Sequence, residues 1–226
     1  RGNFVADVLY YYGDGGSNFV GPRRNPPTLG PGYDYDVTNA DVILNRLSVR
    51  DGRLTLPDGT SYAVLVLPER ADLHPAVLAR IEQLVSDGAT VIGPRPVRAS
   101  GLEGFAASDA RVKEIAARLW GDLDGRERTS RPHGAGRVVQ GKTERDVLAE
   151  LKITPDFAAP AALDFIHRRD GDAEIYFVRN KETTAFNGRA VFRAGHKSPE
   201  LWDPRTGTIA PAGMFRRMEE GMEVSF

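Results

Sequence analysis

The sequence predicts an α/β protein: an open, mostly parallel sheet with flanking helices over residues 1–158, followed by a partial all-β sandwich over residues 159–226. Three observations carry this reading. Short β-type runs alternate with helical stripes as far as about residue 156. Ala63–Leu67 is apolar throughout, as a strand buried on both faces must be. Beyond the Ala/Pro stretch Ala158–Ala162 only short strand-like runs between turn residues occur.

The first strand is read at Val5–Tyr12, rich in β-favouring residues and closed by Gly13. Gly13–Gly32 is too rich in glycine and proline for a regular element, and a loop of that length is usually functional or packed on something else. Tyr33–Val37 is a short extended piece. Thr38 or Asn39 caps a helix running to about Leu47, with Val42, Ile43 and Leu47 on its apolar face. Asp51-Gly52 and Asp58-Gly59 punctuate three β-type runs, the pattern of successive hairpins. Pro75 opens and Gly88 closes the clearest helix, whose stripe is Val77, Leu78, Ile81, Leu84 and Val85. Ala89–Pro94 is the next buried strand, so strand, helix and strand form a parallel βαβ unit. A helix over about Asp109–Trp120, a strand at Arg137–Gln140 and a helix capped by Thr143, with Asp146 completing a capping box, finish this part. In the remainder, strands are expected at Leu163–His167, Glu174–Val178, Arg189–Arg193, Pro199–Trp202, Thr208–Ala210 and Met222–Phe226. An open sheet of this kind is flavodoxin-like or glutamine amidotransferase-like.

Composition narrows the functions. Lys+Arg (30) and Asp+Glu (31) nearly cancel, so no positive field exists to gather nucleic acid. No apolar run reaches the length of about 18 residues that a membrane span needs. With no cysteine, thiolate metal sites, Fe–S clusters and cysteine nucleophiles are excluded, the amidotransferase reaction among them. The first residue is Arg1 rather than Met, no signal peptide precedes it, and the last residues are strand-like. Both ends therefore read as cut from a longer polypeptide.

Each candidate site has an ordinary structural reading beside it. Gly13-Asp14-Gly15-Gly16-Ser17-Asn18 follows a strand but lacks the third glycine and the helix of a dinucleotide fingerprint. His74, His133, His167 and His196 show no zinc-hydrolase spacing; His74 reads as a helix cap, and His133 as part of a solvated basic loop or an anion contact. Asp34 and Asp36 share one face of an extended segment and suit Ca²⁺ or sugar hydroxyls beside Tyr33 and Tyr35, or simply a cap and a strand end. Asp170–Glu174 reads as a tight turn rather than half a calcium loop. His167-Arg168-Arg169 places three cationic or titratable groups at a sheet edge, either as ordinary strand-end charges or as a contact for a neighbouring domain.

The ordered set Val8–Gly13, Asn18-Phe19-Val20, Gly32–Val37, Leu44–Leu47, Asp51–Leu54, Leu56–Gly59, Val64–Pro68, Gly93–Pro96, Phe165–Arg169, Ile175–Val178 and Glu200–Pro204 resembles the post-barrel region of glycoside hydrolase family 106. These are α-L-rhamnosidases and related bacterial enzymes. The resemblance implies a secreted or periplasmic, inverting enzyme with a catalytic (β/α) barrel upstream of Arg1. Calcium is then expected in the parent enzyme and no cofactor in this chain. It implies no catalytic residue here, and a chain that is inactive alone and packs beside the barrel of the same polypeptide to support hydrolysis of carbohydrate such as plant polysaccharide. The expected barrel-facing or substrate-entrance residues are Asp14, Phe19, Tyr33, Asp34, Tyr35, Asp36, His167, Arg168 and Arg169. The alternative is a stand-alone carbohydrate-binding or interaction module. Neither Trp120, at a helix end, nor Trp202, in Leu-Trp-Asp-Pro, reads as an exposed stacking platform for it.

Overall fold

In the computed structural model, which describes residues 2–15, 26, 28–195 and 197–225, the elements run in chain order as follows. They are β1 (Asn3–Phe4), β2 (Val8–Tyr11), β3 (Tyr35–Thr38), α1 (Ala40–Asn45), β4 (Ser48–Arg50), β5 (Arg53–Thr55), β6 (Ser61–Tyr62) and β7 (Val64–Val66). Then come β8 (Asp72–Leu73), α2 (Pro75–Ser86), β9 (Thr90–Ile92), β10 (Arg98–Ala99), α3 (Phe105–Trp120), β11 (Ser130–His133), β12 (Gly136–Val139) and α4 (Glu144–Glu150). The last are β13 (Phe157–Ala158), β14 (Leu163–Asp170), β15 (Ala173–Asn180), β16 (Arg189–Phe192), β17 (Glu200–Trp202), β18 (Ile209–Pro211), β19 (Phe215–Met218) and β20 (Gly221–Ser225).

The chain divides into an α/β unit, Ala6–Leu29 with Tyr35–Leu151, and a β unit, Arg1–Val5 with Gly30–Asp34 and Lys152–Phe226. Backbone pairing accounts for the two outlying pieces of the β unit. β1 pairs antiparallel with β14, Phe4 opposite Arg168. The Gly32 carbonyl accepts from the amides of Asp156 and Phe157. The strand expected at Val5–Tyr12 is shorter, Val8–Tyr11, and a separate two-residue strand, β1, precedes that range.

The α/β unit is built on a six-stranded sheet ordered β11-β12-β9-β7-β2-β3. β3, β2, β7, β9 and β12 are mutually parallel, and β11 joins the edge antiparallel. β7 and β9 are buried along their whole length, as continuously apolar strands between two layers should be. α2 buries the five stripe residues expected of it and packs against both α1 and α3. Asn39 caps α1, and Thr143 with Asp146 forms the capping box of α4. Asp51 and Gly52 both have positive φ (50° and 73°), the geometry of a tight two-residue hairpin between β4 and β5. Gly136 starts β12 where a Cβ would come within 2.2 Å of the Ala89 carbonyl oxygen, so only glycine lets β12 approach this closely. α3 begins four residues before Asp109, because Gly104 turns the chain in a left-handed conformation and no side-chain cap marks the start. Asp109 instead accepts the Ala99 amide at 2.8 Å.

Trp120 closes α3 with no exposed surface and donates its Nε1–H to the Gly93 carbonyl at 3.0 Å. Arg118 makes a two-pronged bridge from α3 to Glu82 of α2, at 2.7 and 2.8 Å.

In the β unit, β1-β14-β15 form one sheet and β13-β16-β20-β19 another. Phe157, Leu163, Ala190, Phe192, Met222 and Val224 make the core, with Phe165, Tyr176 and Val178 packed on it. β13 and β19 are strands that the sequence does not announce: β13 is two residues long, and every residue of β19 is exposed, so no alternation marks it. β17 and β18 form a separate hairpin.

Trp120→Ala should cost about 3–5 kcal/mol in urea unfolding, from the lost burial and cavity; a cost below about 1 kcal/mol would contradict this packing. The Arg118 hydrogen bonds hold the Glu82 carboxyl below its usual value. A carboxyl lowered on folding stabilises the protein above its unfolded pKa, and that share is lost as pH falls through the lowered value. Arg118→Ala should therefore cost roughly 0.5–1 kcal/mol at pH 7, discounted for exposure. In melts at falling pH, the gap between parent and variant should narrow below about pH 4.

Candidate functional site

Inward alternation along β14 places Leu163, Phe165 and His167 on the core side. His167 stands opposite Tyr176 of β15, and the two rings stack with centroids 3.9 Å apart. His167 Nδ1 lies 2.8 Å from Asp156 Oδ2, and Nε2 lies 2.8 Å from Glu174 Oε2. Each ring nitrogen thus has a carboxyl oxygen within hydrogen-bonding distance. Tyr176 donates its hydroxyl to Asp156 Oδ1 at 2.7 Å, and Arg193 Nε lies 3.6 Å from the same oxygen. Glu174 Oε1 meets Arg169 Nε at 2.9 Å and Lys197 Nζ at 3.5 Å. Burial, then the Asp156 charge, pushes the Tyr176 hydroxyl far above its usual value, so it remains a donor.

His167 and Asp156 are each 1% exposed, so no substrate reaches them. This corrects the expectation of a cationic cluster at a sheet edge. β14 is the middle strand of its sheet, with β1 on one side and β15 on the other, and the imidazole points into the core. Arg168 projects to the opposite, exposed face and donates to the Gly2 carbonyl. Arg169 is exposed and bound to Glu174.

A second cluster gathers where the parallel strands of the α/β unit end. Asp14 follows β2, His74 precedes α2, and Ser100 follows β10. Asp14 Oδ2 accepts the His74 amide at 2.7 Å and the Ser100 hydroxyl at 3.2 Å, and Oδ1 accepts the Tyr11 hydroxyl. A carboxylate here also meets the positive end of α2 favourably. His74 is the cap of α2, its Nδ1 accepting the Ala76 amide at 3.2 Å. The sequence flags Asp14 and the cap but not their meeting. The signal available was topological, since loops after parallel strands collect at one edge.

Asp36, on β3, accepts the Val37 amide with Oδ1 and the Tyr62 hydroxyl with Oδ2, each at 3.0 Å. Burial and the Asp36 charge raise the Tyr62 hydroxyl. Tyr35 is half-buried, edge-on to Tyr10 at 5.4 Å. Tyr33 is buried and donates to the Ile153 carbonyl at 3.0 Å, so it is not part of an exposed aromatic patch. Asp34 is buried in the β unit's share of the chain, ahead of β3. Phe19 and His196 lie outside the described residues. Among the described residues no group of three or more His, Asp or Glu side chains could hold a metal ion. The imidazole separates Asp156 from Glu174, and Asp36 is committed to its hydrogen bonds. The described residues around Asp36, Asp156 and Glu174 therefore do not fit calcium.

His167→Ala would leave the buried Asp156 carboxyl and the partly buried Glu174 carboxyl facing a void and should cost about 3–5 kcal/mol in chemical denaturation. Tyr176→Phe, which removes one donor, should cost about 1–3 kcal/mol. A His167→Ala variant as stable as the parent would show that the network does not hold the β unit.

The alpha-L-rhamnosidase family model, glycoside hydrolase family 106, matches residues 1–216. A rhamnosidase from Novosphingobium sp. PP1Y superimposes with a TM-score of 0.85 at 31% identity, over 100% of this chain and 22% of that one. A curated protein of Formosa agariphila, whose name gives it provisionally as a beta-glucuronidase, is 34% identical over 98% of this chain and 18% of its own length. A beta-galactosidase from Bacillus circulans sp. alkalophilus shares the fold alone, with a TM-score of 0.51 at 13% identity over 99% of this chain and 42% of that one. The chain thus spans about a fifth of the rhamnosidase and of the curated relative. Its fold is rhamnosidase-like, and the chain belongs to the alpha-L-rhamnosidase family of glycoside hydrolases.

Proposed function

We propose that this chain is a non-catalytic, ancillary segment of a larger secreted or periplasmic glycoside hydrolase, packing beside a catalytic (β/α) barrel carried elsewhere in the same polypeptide. In this reading the segment supports hydrolysis of carbohydrate, plant polysaccharide among the candidates, and any calcium of the parent enzyme is held outside these residues. The observation that carries the reading is a match along almost the whole chain to about a fifth of a rhamnosidase. The chemistry agrees. Glycoside hydrolysis needs two accessible carboxyl groups flanking a sugar. Here Asp14, Asp36, Asp156 and Glu174 are each committed to donors of the fold.

The strand order of the α/β unit, 2-1-3-4-5 when its parallel strands are numbered along the chain, supports reading it as a flavodoxin-like or amidotransferase-like scaffold without a nucleophile. Asp14, Tyr35, Asp36, Arg168 and Arg169 stay candidates for the barrel-facing side; Tyr33, Asp34 and His167 do not, being buried.

One observation favours the stand-alone carbohydrate-binding module. Trp202 is 65% exposed, contrary to the sequence reading, and Glu200 fixes its indole N–H at 3.1 Å. The substrate of the parent is open between two sugars, because the rhamnosidase and the protein named for beta-glucuronidase activity are similarly close.

The 226-residue chain should hydrolyse neither aryl α-L-rhamnosides nor aryl β-glucuronides, whereas the complete polypeptide should hydrolyse one of them. Turnover by the purified chain, abolished by a substitution within it, would refute the reading. Oligosaccharide binding by the chain, lost in Trp202→Ala, would favour the module.

A further inference from the structure

We infer that the outer face of the β14–β15 ribbon is a docking surface for a segment of the same, longer polypeptide lying outside residues 1–226; this rests on the reading of the chain as part of a larger glycoside hydrolase. A strand pair whose inner face fills a core normally turns polar residues outward. Here the inner face is spent, with Phe165, Tyr176 and Val178 packed on the β-unit core. Yet the outward positions carry Ile166 (42% exposed), Ile175 (39%) and Phe177 (57%). They are contiguous. Ile166 is directly opposite Phe177, and Ile175 is two residues along on the same face. Charged side chains border them: Arg168 opposite Ile175, and Asp164 opposite Arg179. An apolar centre within a charged border is the layout of an interface rather than of a solvated sheet.

Two observations identify the occupant. The chain spans only 18% of its curated relative and 22% of the rhamnosidase it superimposes on, so relatives of this fold supply several times its length in further polypeptide. Exposed large apolar side chains are also concentrated in the β unit. Among the described residues, nine of the fourteen lie beyond residue 152, although that unit is the smaller. The occupant therefore presents an apolar layer to Ile166, Ile175 and Phe177, with charges of both signs around it to meet Asp164, Arg168 and Arg179.

Hydroxyl-radical footprinting read by mass spectrometry tests this on the chain and on the complete polypeptide. Oxidation of Phe177 and Ile166 should fall several-fold in the complete polypeptide, and equal oxidation in both would overturn the inference. Phe177→Asp provides the second arm. It should leave the melting temperature of the chain unchanged, since the ring faces water, but should restore oxidation at Ile166 in the complete polypeptide. Should the chain alone form a dimer that Phe177→Asp dissolves, while Phe177 stays reactive in the complete polypeptide, the occupant is a second copy and the inference fails. Hydrolysis of the two aryl glycosides is assayed separately. An inactive polypeptide with a protected Phe177 would overturn the functional reading while keeping the docking surface.

Discussion

A carboxylate removed from water must be met by donors or by an opposite charge, and this constraint decides what the acidic residues of the chain can do. The clearest case is His167, clasped between Asp156 and Glu174 in the β unit, with Tyr176 and Arg193 satisfying the remaining Asp156 oxygen. In the α/β unit the same rule governs Asp7, buried beside Arg53, and Asp36 on Tyr62. Asp14 is held at the start of α2 by donors from three different loops or strands. Groups bound in this way stabilise a fold and are poorly suited to give or take protons from a substrate. A general acid or base needs open reach to the reacting atom.

Much of the α/β unit was legible because its elements obey local rules. Pro75 and the five-residue stripe define α2, the Asp-Gly pairs define the β4–β5–β6 meander, and Thr143 with Asp146 defines α4. What escaped was set by tertiary partners. α3 starts early because Gly104 redirects the chain without a cap, and β1 exists only because β14 lies beside it. β19 has no buried residue and hence no alternation to read. The same distinction separates the site readings. His167 sits in an apolar strand next to two arginines, and the sequence does not reveal that Asp156 and Glu174 stand on either side of its ring. Knowing the pairing of β14 with β15 would have brought Glu174 into view, since Glu174 is opposite Arg169 and diagonal to His167.

The two units differ in what they bury and what they expose. The α/β unit has a parallel sheet whose central strands β7 and β9 are fully buried and whose connecting loops gather Asp14, His74 and Ser100 at one edge. The β unit has a small core, a buried charged network and an unusually apolar exterior. The chain belongs to the alpha-L-rhamnosidase family and spans about a fifth of the rhamnosidase and of the curated relative.

The central claim is that the acidic residues of this chain act in the fold and not in the reaction. The direct measurement is kcat of the complete polypeptide carrying Asp14→Asn, Asp36→Asn or Glu174→Gln, assayed well below the melting temperature of each variant. The account predicts kcat within about three-fold of the parent in every case, because removing a true acid or base typically costs 10²–10⁴. A fall of about 10³ in any one of them, with the melting temperature unchanged, would contradict it.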